Sequence, residues 1–448
     1  MAQILPFPVS QESSPLALFV LIGSAHKKLA DLYAAGRLRA QRVVVDASRV
    51  GFQQEFLKTL RDDGIEVVLD TELAELSSPR KFSGHARHSP WVKPDWQRPF
   101  EAADFNEKGI RRLADKIAEF AVRNELAAVL SPTHFLGDRT NPGWFEIDRA
   151  MCLALRASLD RLGGSAITID YPVILSNAEL KDVAVRGAVS TALADLPIEN
   201  IWIRTSGMDV GGGPLKTIRF LSSLERFHNV GRPIVADYLG GLTSLAALAF
   251  GTVSGVAHGV AEKERFDASD WHLPPEPRND DEGFGPVIRV EVPDLGKAPT
   301  KNELELLAGA PGGRRICSCP DRQCCPHGLE DMLRDPRSHA AFRATAAVAA
   351  LENIPPSRRE GYFLEKPLAS TVRTARAVAK LRPTEEDAAR LGLDGKNLIE
   401  RYIAHSHHMD SLASALENYH ERRSSDMPRA KIITSRQPAA KNPKEAKK

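Results

Sequence analysis

The pattern that most restricts this chain is an alternation. From Leu18 onward, short apolar β-rich runs are separated by amphipathic helical stretches. The runs are LFVLIGS, RVVVDAS, IEVVLDT, LAAVLSP, AITIDYP, NIWIRTS, PIVADY and TVSGVAHGV. They read as strands buried on both faces. Helices between such strands imply a parallel sheet covered on both sides. Eight units of this kind match a (β/α)8 TIM barrel in count and size. A doubly wound open sheet is the alternative, but no G-x-G-x-x-G follows the first strand, which counts against its dinucleotide-binding form.

The barrel is predicted over residues 17–271, after an N-terminal tail at 1–16. An insertion at about 72–106 holds His85, His88, Trp91, Trp96 and several prolines. Past the eighth strand the texture changes. Residues 272–285 (HLPPEPRNDDEGFG) form a linker, and residues 286–425 hold strand-like PVIRVEV, helical KNELELLAG, a cysteine-rich stretch and helical patterns at 340–352, 370–381 and 397–423. The predicted class is thus α/β, a barrel followed by a zinc-binding, mainly helical region. Residues 426–448, basic and rich in Pro and Ala, read as a disordered tail that could contact phosphates.

Composition narrows the function classes. The 448 residues are 42% hydrophobic, enough for a real core, and the net charge of +2 creates no global field toward an acidic partner. The first residues lack a basic secretory start, and no apolar run approaches the ~20 residues a bilayer requires. The expectation is a cytoplasmic chain without membrane contact. A homo-oligomer is compatible with this composition.

Four of the five cysteines, Cys317, Cys319, Cys324 and Cys325, cluster in RICSCPDRQCC, with His327 and His339 close behind. In a cytosolic-looking chain such a knot argues for a metal ion rather than disulfides. Thiolates with imidazole suit tetrahedral zinc, and four protein ligands make the ion structural. Cys317 and Cys319 can supply two ligands from a tight turn, and Cys324 or Cys325 a third. His339, at the start of a helix, is preferred over His327 as the fourth. The predicted set is Cys317, Cys319, Cys324 and His339. Cys152 lies in an apolar helical pattern and reads as a core thiol.

Active sites of such barrels lie where strands end. The predicted strand ends carry Asp46, Asp70, Asp170, Arg204, Asp237 and His258, with His134 and Asp138 just after the fourth strand. Two glycine-rich loops, SGMDVGGG (206–213) and LGGL (239–242), would lie at the same rim and let backbone N–H groups approach a ligand. Converging carboxylates with a His and an Arg suit acid–base work or recognition of a hydrogen-bonding ring. Any single Asp after a strand equally well caps a helix or makes a turn. The set, more than any member, marks a site.

In this order of parts the chain resembles the tRNA-guanine transglycosylase family, whose members exchange a guanine in nucleic acid for a 7-deazaguanine base. ICSCP (316–320) is similar to the start of that family's zinc motif, and VVVDASRVGFQ (43–53) to its D-S-G-G-F-Q stretch. GMDVGGG (207–213) occupies the place of its base-touching glycine loop. The resemblance implies a purine or 7-deazapurine site in which Asp46 contacts or protonates the base, with Phe52, Gln53, Asp170, Gly211, Gly212 and His258 around it. It implies tRNA or DNA as the partner and a structural zinc ion. GTVSGVAHGVAEK (251–263), where the family's nucleophilic Asp would fall, has none. Asp237 or Asp209 is then the candidate nucleophile. Two other readings compete: a catalytically inactive barrel that binds nucleic acid or protein, and an unrelated metal-dependent hydrolase with an ion held by His134, Asp138, Asp237 or His258.

Overall fold

In the computed structural model of the chain the apolar runs close on themselves. Strands β1 (Ala17–Leu21), β2 (Arg42–Asp46), β3 (Glu66–Asp70), β4 (Ala128–Leu130), β5 (Thr168–Ser176), β6 (Asn200–Ser206), β7 (Ile234–Asp237) and β8 (Gly255–His258) form one closed barrel. All pairings are parallel, and β8 returns to β1 with His258 opposite Val20. The structure describes residues 15–38, 40–82, 84–137, 143–208, 213–260, 263–274, 287–423 and 430–433. The predicted (β/α)8 barrel is the observed fold.

Inside the barrel pack Ala17, Phe19, Leu21, Val44, Val68, Ala128, Leu130, Trp202, Val235 and Ala257. The Phe19 ring meets Trp202 edge-on, centroids 4.6 Å apart. Side chains alternate along a strand, so inward Val44, Val68, Trp202 and Val235 are followed on the same face by Asp46, Asp70, Arg204 and Asp237. The same alternation turns His258 outward, next to inward Ala257.

One strand is longer than its sequence suggests. Pro172 reads as a terminator, yet β5 continues through it to Ser176. Asp170 C=O accepts the Ser131 N–H and Ile174 C=O the Leu136 N–H, so alternate residues 170, 172 and 174 bond toward β4. β4 stops at Leu130, so the missing N–H of Pro172 faces no partner strand and costs no ladder bond.

The C-terminal helices Lys301–Gly309, Pro336–Glu352, Ala369–Val378 and Gly395–Arg422 follow the predicted helical stretches. The strand expected at PVIRVEV does not form; among its described residues only Arg289 makes an isolated bridge, with Thr300. One hydrophobic cluster runs from Leu16 through the barrel's outer layer to Leu416, so these helices share the barrel's core. Lys28 pairs with Asp335 at 2.9 Å, and Phe250 packs its ring against Tyr419 at 5.5 Å.

Part of the expected disordered tail is seated. Ala430 N–H donates to Gly251 C=O at 3.1 Å, and Ile433, 8% exposed, joins the barrel's interior cluster. It lines a cavity of about 370 Å³ at the strands' N-terminal ends, with Arg42, Glu66, Thr168 and Asn200. An apolar residue in a basic tail has this burial as its driving force. Residues 426–429 and 434–448 lie outside the described residues. Among those described, no helix is long and apolar enough to cross a membrane.

Candidate active site and metal centre

Two ion-paired groups fill the C-terminal mouth of the barrel. In the first, Lys263 Nζ reaches both Asp46 oxygens, at 2.9 and 2.8 Å, and Arg49 Nε lies 3.2 Å from the same carboxylate. In the second, Arg204 bridges opposite walls: Nε donates to Asp237 at 2.7 Å and a terminal nitrogen to Asp70 at 2.8 Å. Glu75 lies 3.6 Å from the same guanidinium, and the Tyr238 ring lies 4.6 Å beneath it. Asp237, with no exposed side-chain surface, is a clamp for Arg204 rather than a reachable nucleophile. Asp46 keeps 10% of its side chain exposed and is the group that a ligand can meet.

Glu72 completes the first group. One oxygen of its carboxyl group takes the Ser48 N–H at 2.7 Å and the Ser89 hydroxyl at 3.2 Å, and the other lies 3.0 Å from the Ser48 hydroxyl. Burial, then the nearby charge of Asp46, pushes its pKa up to about 8, so it holds a proton at neutral pH. Burial raises Glu75 to about 7, with Arg204 opposing. Arg204 treats its two partners differently. Asp70 is held low, because Arg204 and the Glu72 N–H together outweigh burial, whereas burial keeps Asp237 raised.

Of the five non-glycine residues with left-handed backbone among those described, Glu72, Tyr238 and Lys263 sit here, with φ of 55°, 56° and 53°. Strain of this sort persists where surrounding contacts impose it and gathers at functional sites. Sequence reading missed all three, and Glu75. Their signal was faint: charged residues in the loops after predicted strands.

Other predicted residues are placed differently. Asp170 lies near the start of β5 because the strand runs on past Pro172, so it faces the barrel's N-terminal end. There Asn200 Nδ2 and Trp202 Nε1 donate to it at 2.7 and 2.8 Å, and burial raises it to about 7. His258 faces away from the interior and its Nδ1 meets Gly259 C=O at 2.9 Å. Gln53 is buried and donates to Gly23 C=O at 3.0 Å, while Phe52 stands 81% exposed at the rim. Asp138, Asp209, Gly211 and Gly212 lie outside the described residues. His134 is held by Asp148 and Asp237 by Arg204, so with His258 turned out these three do not converge on an ion.

Two measurable consequences follow from this electrostatics. Arg204→Met would leave Asp70 and Asp237 buried without their cation, with an expected loss of about 3–5 kcal/mol, read from the urea midpoint. Glu72 sets a pH dependence. Below its unfolded value of 4.5 both states are protonated; above it the unfolded chain releases the proton first, so stability falls as pH rises through about 8. Glu72→Gln is expected to shrink the drop in melting temperature between pH 5 and pH 8, by about 2–4 °C per kcal/mol relieved. An unchanged drop would refute the assignment.

The candidate metal cluster is Cys319, Cys324, Cys325 and His339, all buried, with possible ligand atoms within 4.8 Å of one another. His339 Nδ1 lies 3.3 Å from both Cys324 Sγ and Cys325 Sγ, which are 3.7 Å apart. A tetrahedron of thiolates ~2.3 Å from an ion has edges of about 3.8 Å, so these four atoms suit one metal ion. His339 Nε2 sits 3.1 Å from Glu291 C=O, a contact that fixes the tautomer and leaves Nδ1 free as ligand.

The choice of His339 over exposed His327 agrees with this cluster; that of Cys317 does not. Cys317 ends the helix Gly313–Cys317 and is buried outside the cluster, its thiol raised to about 12 by burial. Cys325 takes its place. The turn that returns Cys325 N–H to Asp321 C=O, at 2.8 Å, aims two adjacent thiols at one point.

No family model and no curated protein matches the chain. Among solved structures it is similar to a xylanase A variant from P fluorescens subsp. cellulosa in complex with xylopentaose, at 12% identity and TM-score 0.35, over 61% of this chain and 94% of that one. A β-1,4-mannanase matches at 12% identity and TM-score 0.32, covering 59% and 94%. KGPDC from Streptococcus mutans matches at 15% and 0.31, covering 58% and 94%. At these values the likeness says nothing about chemistry, and the barrel mouth and the Cys/His cluster stand on their own geometry.

Proposed function

We propose that the protein is a transglycosylase-like enzyme acting on a purine or 7-deazapurine base of tRNA or DNA at the barrel mouth. The observation that carries this reading is the pairing of Asp46 with Lys263, 2.8 Å apart, beside a Glu72 that stays protonated at neutral pH. A carboxyl group with a raised pKa beside a second carboxyl group paired to a cation suits acid–base work on a ring. Asp46 accepts a hydrogen bond from a ring N–H of the base, and Glu72 lies behind it. Exposed Phe52 at the rim offers a stacking face for a base taken out of its helix. The Cys319/Cys324/Cys325/His339 cluster holds zinc in a structural role. The test is incorporation of labelled guanine into tRNA and into DNA by the full chain; no incorporation into either sinks the reading.

The locked state of Asp237 favours one competing reading, a barrel that binds nucleic acid without base exchange. Binding that steepens as salt falls, in a protein without exchange activity, would establish it.

A further inference from the structure

A cavity of about 620 Å³ opens where β4, β5 and β6 exit the barrel, within the size range of small-molecule sites. Phe135, Trp144 and Trp271 form aromatic walls, and Ser77 and His134 lie among them. Three buried polar atoms of these residues have no hydrogen-bond partner among the described residues: Ser77 Oγ, Trp271 Nε1 and His134 Nε2. Folded chains pair such atoms almost without exception, so three unmet on one cavity point to a ligand that meets them.

His134 is built for one role. Its ring stacks on Trp144, centroids 3.8 Å apart and planes 7° from parallel, and Phe105 meets it edge-on at 5.0 Å. Asp148, on the helix Trp144–Arg161, contacts Nδ1 at 2.5 Å through one oxygen and takes the His134 backbone N–H at 3.0 Å through the other. Both side chains are 1% exposed. A carboxylate on Nδ1 fixes the proton there, so Nε2 presents a lone pair. Trp271 Nε1 supplies a donor, and Ser77 Oγ can be either.

Charge limits the ligand. No Lys or Arg is among the described residues that line the cavity, whereas Glu179 and Asp267 are. Glu179 Oε2 takes the Ser176 N–H at 2.8 Å, and Asp267 takes the Ser269 N–H at 3.0 Å. These carboxylates oppose a phosphate.

We infer that this cavity binds a neutral, hydroxyl-bearing ring compound of nucleoside or disaccharide size, with His134 Nε2, oriented by Asp148, accepting one of its O–H or N–H groups. The site is distinct from the Asp46–Lys263 pair, and its test does not depend on base exchange.

Calorimetric titration of the full chain with guanosine, guanosine 5′-monophosphate and cellobiose separates the sources. Guanosine binding marks a nucleoside site, with the monophosphate at least ~10-fold weaker, and cellobiose binding marks a sugar site. For the neutral probe that binds, Trp271→Phe and Ser77→Ala are each expected to weaken it about 10-fold. Asp148→Asn is expected to weaken it similarly and to move the His134 ring proton from Nδ1 to Nε2, seen by nitrogen NMR. Trp271→Phe and Ser77→Ala keep the test alive should Asp148→Asn not fold. The inference is overturned if neither neutral probe binds, if the monophosphate binds as tightly as guanosine, or if Trp271→Phe and Ser77→Ala both bind unchanged.

Discussion

Cys319→Ser is expected to abolish metal binding at the Cys/His cluster and to lower the melting temperature of metal-loaded protein by about 10 °C, whereas Cys317→Ser keeps the capacity for one ion per chain. The reasoning starts from the ligand set. Cys319, Cys324, Cys325 and His339 converge within 4.8 Å, and Cys317 is not among them. Structural zinc sites supply ~10–16 kcal/mol of apparent binding energy in small domains. A third of that, at ~2–4 °C per kcal/mol for a large domain, gives the stated shift. The damage is not confined to the cysteine turn. His339 lies on the helix Pro336–Glu352, whose Glu352 accepts the Leu16 N–H at 3.3 Å, just ahead of β1. Loosening the cluster therefore loosens a clasp between the C-terminal helices and the barrel. Elemental analysis of both variants decides the point, and loss of the ion from Cys317→Ser would restore Cys317 as a ligand.

Asp46→Asn is expected to reduce guanine exchange by roughly 10²–10⁴-fold, the contribution of one positioned acid–base group, with little change in melting temperature. The amide preserves shape and still accepts from Lys263, whose side chain is 26% exposed and so has water as an alternative partner. Stability loss is accordingly small, as for other part-exposed ion pairs. Asp237→Asn is the informative contrast. Asp237 is fully enclosed and bound to Arg204, so its loss should act on stability through the Arg204 network before it acts on chemistry. Exchange that survives Asp46→Asn intact would remove Asp46 from the site.

Sequence by itself determined the barrel and the metal cluster's neighbourhood. Continuous apolar runs between amphipathic helices admit few architectures, because each run must be covered on both faces. Four cysteines within nine positions, followed by His339, restrict an ion to one short stretch. Asp46, Asp70, Arg204 and Asp237 were legible too, since each ends or nearly ends a strand. Tertiary structure alone decided what register and chain crossing control. β5 runs past Pro172 only because β4 is too short to need the missing N–H, and that carried Asp170 to the other end of the barrel. Strand alternation turned His258 out. The pairs Lys263–Asp46, Arg204–Asp70 and His134–Asp148 join separate elements, the first two across 217 and 134 positions of chain. No local pattern encodes the first two contacts, because they exist only once the eight strands have closed into a ring.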